Sequence, residues 1–361
     1  MSNLPYWLAA LYLHNIGPRT IKRWLENFPD IKSIFSASQD ELQEKGIAEP
    51  HREILKSPNW KQVEKDLAWI NQNDHHIISI DDESYPYLLK EIFDPPIVLF
   101  IRGNKEALSQ KQIAIVGARS ATPHGIKNAE IFGHDLATAG YAVTSGLALG
   151  IDGASHRGAL SAKGITIAVC GSGLNHVYPK SHRPLANQII NNNGAVISEF
   201  PLEVEPRAEN FPRRNRVIGG MSKGVLVVEA AVKSGSLITA RHALEQGREV
   251  FAIPGSIHNP LSRGCHHLIR EGAKLVESTK DILEEFADQT SFLPVRQTRS
   301  DKELPVLQRR VLSEIGYEIT PIDMILLRTR LTAGEVSSML LILELNGYIQ
   351  SVAGGYIREI P

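Results

Sequence analysis

Apolar positions change rhythm twice along the chain. Up to about residue 65 they recur at helical spacing, in Trp7, Leu8, Leu11 and Tyr12 and again in Ile21, Trp24, Leu25 and Phe28. The intervening HNIGPRT carries Gly17 and Pro18 and predicts a turn, with Thr20 near the start of the next helix. From 66 to 287 short β-rich runs alternate with helical stretches: HIISI (76–80), IVLFIRG (97–103), QIAIVG (112–117), YAVTSG (141–146), GITIAVCG (164–171), AVISE (195–199), GVLVVE (224–229), EVFAIPG (249–255) and KLVES (274–278). Several are unbroken Val/Ile/Ala runs, as strands buried on both faces require. Strand, glycine, helix, strand predicts an α/β fold: an extended Rossmann-like, doubly wound, mostly parallel sheet. The polar stretch 288–304, with Pro294, predicts a linker. In 305–361, three helical stretches precede GYIQSVAGGYIREI, where Gly354-Gly355 marks a hairpin, so a winged-helix-like domain is expected.

Composition narrows the function classes. The chain has 361 residues, enough for two or three domains of about 150 residues each. Its formal net charge is −1, so any grip on a polyanion must come from a local patch rather than from the global field. The two cysteines, Cys170 and Cys265, are far apart and in no metal-ligand spacing, which suits a reducing compartment. The first residues lack a basic region and a small-residue cleavage site, and no apolar run approaches the roughly 20 residues of a membrane span. A cytoplasmic protein is expected.

In open parallel sheets ligands sit at the carboxyl ends of the strands, so the loops after the strands hold the candidate chemistry. After IAIVG come Gly117, Arg119, Ser120 and Thr122; Ser120 or Thr122 can cap the next helix, whose free amides favour an anion. The G-x-G-x-x-G fingerprint is absent there, so a dinucleotide cofactor is not supported. After AVTSG, with Ser145 and Gly146, small residues imply close approach of backbone to a ligand or a neighbouring helix; Asp152 and His156 stand one helical turn apart and are able to pair. Gly171 and Gly173 are a further phosphate-loop candidate. After VLVVE, Lys233-Ser234-Gly235-Ser236 opens a helix with free N–H groups, hydroxyls and a cation, the makings of an anion nest. Glu199 and Glu229, at strand ends, suit a structural role or a catalytic one.

The stretch ENFPRRNRVIGGMS lies between two of these strands. Pro212 suits the first helical position with Asn210 as its cap, which puts Arg213, Arg214 and Arg216 in the first turn. Cations there oppose the helix macrodipole at a cost of a few tenths to about 1 kcal/mol each, unless an anion sits among them. Phe211 adds a flat face, and aromatic plus arginine is the composition of a single-strand nucleic-acid site. The bland alternative is a solvated arginine face.

VGARSATPHG, SGLALGIDGASHRGAL, GSGLNHVYP, SEFP, FPRRNRVIGGMS and EAAVKSGSLITARHALEQGREVFAIPG together resemble the DNA-processing protein A family (DprA, also called Smf), over roughly residues 80 to 280. The N-terminal helices, 1–65, resemble SAM-like or helix-hairpin-helix modules in kind. The resemblance implies a recombination mediator without catalysis, needing no cofactor and no metal. Such a protein binds and protects single-stranded DNA during natural transformation, loads the RecA recombinase, and forms a homodimer through the Rossmann-like domain. Carried over by motif, DNA contacts fall on Arg119, Phe211, Arg214 and Arg216, with Asn215 in the same motif and Arg213 at a variable place in it. Asn175 stands where relatives often carry Asp. The alternatives are a Rossmann-like nucleotide-processing hydrolase, recruiting Arg119 with Glu199 or Glu229, and a nucleotide-sensing protein. In the C-terminal domain, the third helical stretch carries Glu335 and Glu344 and no Lys or Arg, which favours packing or partner binding over phosphate contact.

Overall fold

The computed structural model describes residues 3–286 and 304–359. The chain divides into two compact units, Met1–Leu293 and Pro294–Pro361. Except for Leu304, the expected linker, 288–304, lies outside the described residues; Leu304 itself is buried in the core of the second unit.

The nine expected runs form one nine-stranded sheet. Its strands are β1 (His75–Ser79), β2 (Val98–Gly103), β3 (Gln112–Val116), β4 (Ala142–Ser145), β5 (Thr166–Val169), β6 (Ala195–Ser198), β7 (Gly224–Val227), β8 (Glu249–Ala252) and β9 (Lys274–Leu275). The order is β1-β2-β6-β5-β4-β3-β7-β8-β9. From β6 to β9 every pairing is parallel; β2 joins β6, and β1 joins β2, antiparallel. The chain builds outward from β3 through β4, β5 and β6, then returns to place β7 on the other side of β3. The order therefore reverses between β3 and β7, and the crevice at such a reversal is where doubly wound sheets bind ligands.

The unbroken apolar runs have a physical cause in the two covered faces. Ile113, Ile115 and Leu226 point to one side, into a core with Phe132, Ile151 and Leu283. Ala114, Val116, Val225 and Val227 point to the other, against Val217, Ile218 and Ala240. With no wet face, alternation has nothing to encode.

The N-terminal helices do not have a core of their own. Trp7, Ile21, Trp24, Ile31 and Leu42 belong to one buried cluster with Val98, Phe100, Ala168 and Val196 of the sheet. Residues 1–65, expected as a separate domain, thus lie in the same compact unit as the sheet. Pro18 opens its helix with Gly17 as the cap residue, and the Trp7 indole donates to Asp81 at 3.0 Å, tying the first helix to the loop after β1.

The second unit holds helices Val306–Ser313, Ile322–Thr329 and Ala333–Leu345, then the hairpin β10 (Ile349–Val352) and β11 (Gly355–Arg358). Gly354 turns the hairpin at φ +99, a conformation that excludes most side chains. Thr332 and Glu335 close a capping box on the third helix. The unit is a winged helix. Its third helix leaves Leu341 and Leu345 exposed and carries no cation.

Candidate nucleic-acid interface

A pocket of about 370 Å³ opens at the β3/β7 reversal. Its lining comes from the loops after β3 (Gly117, Arg119), β4 (Ala148, Asp152) and β7 (Ser234, Gly235, Ser236), and from the helix Asn210–Met221. Converging strand-end loops are what the parallel sheet predicts. The helix contributes Pro212 near its start, and Phe211, Arg214, Asn215 and Ile218, which stand at i, i+3, i+4 and i+7, one stripe of an α-helix.

That stripe separates three arginines that look alike in sequence. Arg213 is exposed, 5.2 Å from the Phe200 ring, and lies outside the pocket lining. Arg214 is buried: its guanidinium donates to the carbonyl oxygens of Gly146 and Val169, at the ends of β4 and β5, and its Nε donates to Asn215 Oδ1 at 3.1 Å. Arg216 turns away from the pocket altogether. It is buried against Glu199, with which it forms an ion pair, and it also donates to the Asp94 carbonyl. The helix begins at Asn210, two residues earlier than expected, and Asn210 makes no side-chain cap; Pro212 is its third residue rather than its first. The arginines therefore start beyond the first turn. Two of them satisfy buried oxygens rather than opposing a bare dipole.

Arg119 is the exposed guanidinium of the pocket. Its carbon stands 5.2 Å from the centroid of the half-buried Phe211 ring, and that of Arg214 stands 5.9 Å away. Phe211 itself packs over Gly171: a Cβ there would come within 2.8 Å of the ring, so only glycine lets the ring settle. Gly146 plays the same part for Arg214, since a Cβ would collide with the guanidinium. The exposed Tyr178 ring lies 5.9 Å from Phe211 and was not among the residues picked from sequence. Neither were Ile218 and Thr239; the seven-residue spacing from Phe211 is the signal for Ile218.

The remaining candidates divide between lining and framework. Ser234 caps its helix, accepting from Ser236 N–H at 3.3 Å, while Gly235 O accepts from Asn215 Nδ2 at 3.2 Å; all three residues of the nest line the pocket. Lys233 is exposed outside the lining. Ser120 is exposed, and Thr122 is the cap, accepting from Gly125 N–H at 3.0 Å. Ser145 is fully buried and donates to Ile115 O at 2.6 Å, so it offers a ligand nothing. Gly117 lies against Ile151 and Gly173 against the Pro201–Leu202 backbone. Much of the glycine in these loops is required by close internal packing.

Two carboxylates considered for catalysis are already engaged. Glu199 holds Arg216, and Glu229 accepts from the backbone and hydroxyl of Thr122 at 2.9 and 2.6 Å; neither lines the pocket. Among the described residues there is no cluster of three or more His, Cys, Asp and Glu placed to hold a metal.

Asp152 and His156 do not pair. Asp152 Oδ2 accepts from Gly146 and Ala148 N–H at 3.1 and 3.3 Å. Burial pushes its pKa up and that of Arg214 down, while the opposite charge of each works against the other's shift. Thr166 gives its hydroxyl proton to Val143 O, so it accepts from His156 Nδ1, at 2.7 Å; Nε2 is then left buried and bare. Burial, helped by His182, Arg157 and Arg214, pulls His156 down to about 3. A folded value below the ordinary 6.5 means the unfolded chain binds the extra proton, so this contribution to stability is full above about pH 6.5 and is lost as pH falls towards 3. Melting temperature should drop between pH 7 and 5 in the wild type. The drop should be smaller in His156→Gln, which starts from a lower value at pH 7. Parallel profiles for the two proteins would contradict this role for the imidazole.

Residues 76–287 match the family described as DNA recombination-mediator protein A, and residues 295–355 match the DprA winged helix domain. Protein Smf of Escherichia coli is 46% identical over 88% of this chain and 86% of its own. A DNA processing protein DprA of Streptococcus pneumoniae is 49% identical over 58% of this chain and 73% of its own. The solved structure of DNA processing protein A from Streptococcus pneumoniae superimposes with TM-score 0.68 at 38% identity, covering 79% of this chain and 99% of that one. A Helicobacter pylori DNA processing protein A, solved for its single-stranded DNA binding mode, gives 0.52 at 27% identity over 59% of this chain and 96% of that one.

Proposed function

The chain belongs to the DNA recombination-mediator protein A family, and from that premise we propose that its pocket at the β3/β7 reversal holds single-stranded DNA for delivery to the RecA recombinase. The observation that carries this is the Phe211 ring, 5.2 and 5.9 Å from the guanidiniums of Arg119 and Arg214, in a pocket that Ser234–Ser236 also line. A ring offers a stacking face to any base, and an exposed guanidinium offers donors to the phosphates beside it. Nothing in this set reads base edges, so binding is indifferent to sequence. Protection follows from the same contacts, because a strand whose phosphates are covered is shielded from nucleases.

The setting proposed is natural transformation, where incoming DNA is single-stranded, in the cytoplasm, with the protein acting as a homodimer through its Rossmann-like domain and without catalysis or cofactor. The Helicobacter pylori relative supports the choice of a single strand over a duplex. Among the described residues no helix is long and apolar enough to cross a membrane.

A salt titration tests the ligand class. Anisotropy of a labelled oligothymidylate should give a log–log slope of about −0.7 for each phosphate neutralised. Duplex of equal length should bind more weakly. A flat slope, together with turnover of nucleoside monophosphates, would replace this reading with a nucleotide-processing one.

A further inference from the structure

The same unit carries a second basin, of about 600 Å³, whose walls include Trp69, His75, Arg102, Asn175, Arg183 and Asn187. We propose that it receives nucleotides of the bound strand beyond those held at Phe211; this extends, and rests on, the single-strand reading of the first pocket. The elements that build it are well fixed. His75 of β1 stands directly opposite Arg102 of β2 in the antiparallel register. Trp69, the last residue of the helix Trp60–Trp69, stacks on the His75 ring with centroids 4.0 Å apart and planes at 14°, and its carbonyl lies 3.2 Å from His75 Nδ1. Arg183 and Asn187 are four apart on the helix Arg183–Asn191 and share a face.

The chemistry is that of a nucleotide. Among the described residues neither Arg102 nor Arg183 makes an ion pair, so two unpaired guanidiniums face one basin, with Glu203 held at its rim. Arg183 also sits at the first position of its helix, where a cation opposes the macrodipole and an anion would relieve it. Burial lowers the His75 pKa, so the ring is a neutral stacking surface backed by an indole. Guanidiniums beside a flat aromatic pair suit a phosphodiester with its base better than an acidic peptide, which has no ring to stack. An acidic group does stand near the rim: Glu203 is held by Asn175 Nδ2 at 2.6 Å and His176 Nε2 at 3.3 Å.

The two sites are joined by one loop. Asn175 and Val177 wall the basin, while the next residue, the exposed Tyr178, lies 5.9 Å from Phe211. A strand leaving the first pocket across Tyr178 therefore arrives at Arg183 and Arg102.

Oligomer length separates the two sites. Oligothymidylates of about 4 and about 16 nucleotides, spanning the usual range of single-strand site sizes, are titrated onto the full chain. For Arg102→Ala/Arg183→Ala, binding of the short oligomer should be unchanged, and that of the long one should weaken roughly 100-fold, the effect of losing two charge-assisted hydrogen bonds at about tenfold each. Its salt slope should become shallower by about 1.4, for two phosphates. Arg183→Glu, a change at an exposed side chain, should show the same dependence on oligomer length if the double variant folds poorly. Equal effects on both lengths, or none on the long one, would overturn the proposal. If Arg119→Ala leaves both lengths unaffected, it is the reading of the first pocket that fails, and the length comparison still decides the basin.

Discussion

Arg119→Ala should weaken single-strand binding by roughly 10- to 100-fold without changing the melting temperature by more than about 1 °C. The residue sits at the pocket mouth, exposed, with its guanidinium beside Phe211. One charge-assisted hydrogen bond is worth about 1.5–3 kcal/mol, and each 1.4 kcal/mol is tenfold in affinity. An exposed side chain away from caps and cores contributes within about 0.5 kcal/mol to folding. The loss should be uniform across sequences, because a phosphate contact carries no base information. Anisotropy on several oligomers beside a thermal melt checks both halves. A melting point that falls in step with affinity, or a loss confined to one sequence, would count against a direct phosphate contact.

Arg214→Met should do the reverse, lowering the melting temperature by roughly 6–20 °C. Its guanidinium is buried and satisfies two strand-end carbonyls, and Asp152 is buried beside the same loop. Removing a buried charge from a partnered set costs about 3–5 kcal/mol, because the acceptors and the remaining carboxylate lose their compensation. At about 2–4 °C per kcal/mol for a unit of this size, the shift is large. Calorimetry on the folded variant is the direct measurement. A melt within about 2 °C of wild type would show that the carbonyls find water and that Arg214 serves the ligand more than the fold. Loss of DNA binding in this variant is therefore not by itself evidence of phosphate contact; Arg119 is the cleaner probe.

The motif FPRRNR shows where reading from sequence stops. Three guanidiniums in four positions look like one grip. In a helix they are about 100° apart in steps, so they cannot all face one ligand. The phase of the helix depends on where it begins, and element boundaries are weakly encoded: Asn210 and Pro212 both suit the start, and the helix takes Asn210. Partners decide the rest. Arg216 is claimed by Glu199 and Asp94, one at the end of β6 and the other before β2, neither of which a local pattern connects to it. The glycines misled in a similar way. Gly146 and Gly171 signal close approach correctly, but what approaches is Arg214 and Phe211. They shape the site from behind instead of touching a ligand.

The N-terminal helices repeat the lesson at larger scale. Their periodicity shows that they bury one side, yet that side is completed by Phe100 and Val196 of the sheet. Helical spacing states that a face is apolar and leaves unsaid what covers it.

The sequence by itself determined the sheet, its loops and the winged helix, because these follow from local rules: runs without alternation need two covered faces, and glycine and proline punctuate turns. It also placed Arg119, Phe211 and Ser234–Ser236 together, since strand-end loops of a parallel sheet share one edge. Only the tertiary structure decided which arginine meets solvent, which is spent on strand carbonyls and which is locked in an ion pair. Those fates depend on helix phase and on partners far away in the chain, and burial gives each of them an energy that no short pattern contains.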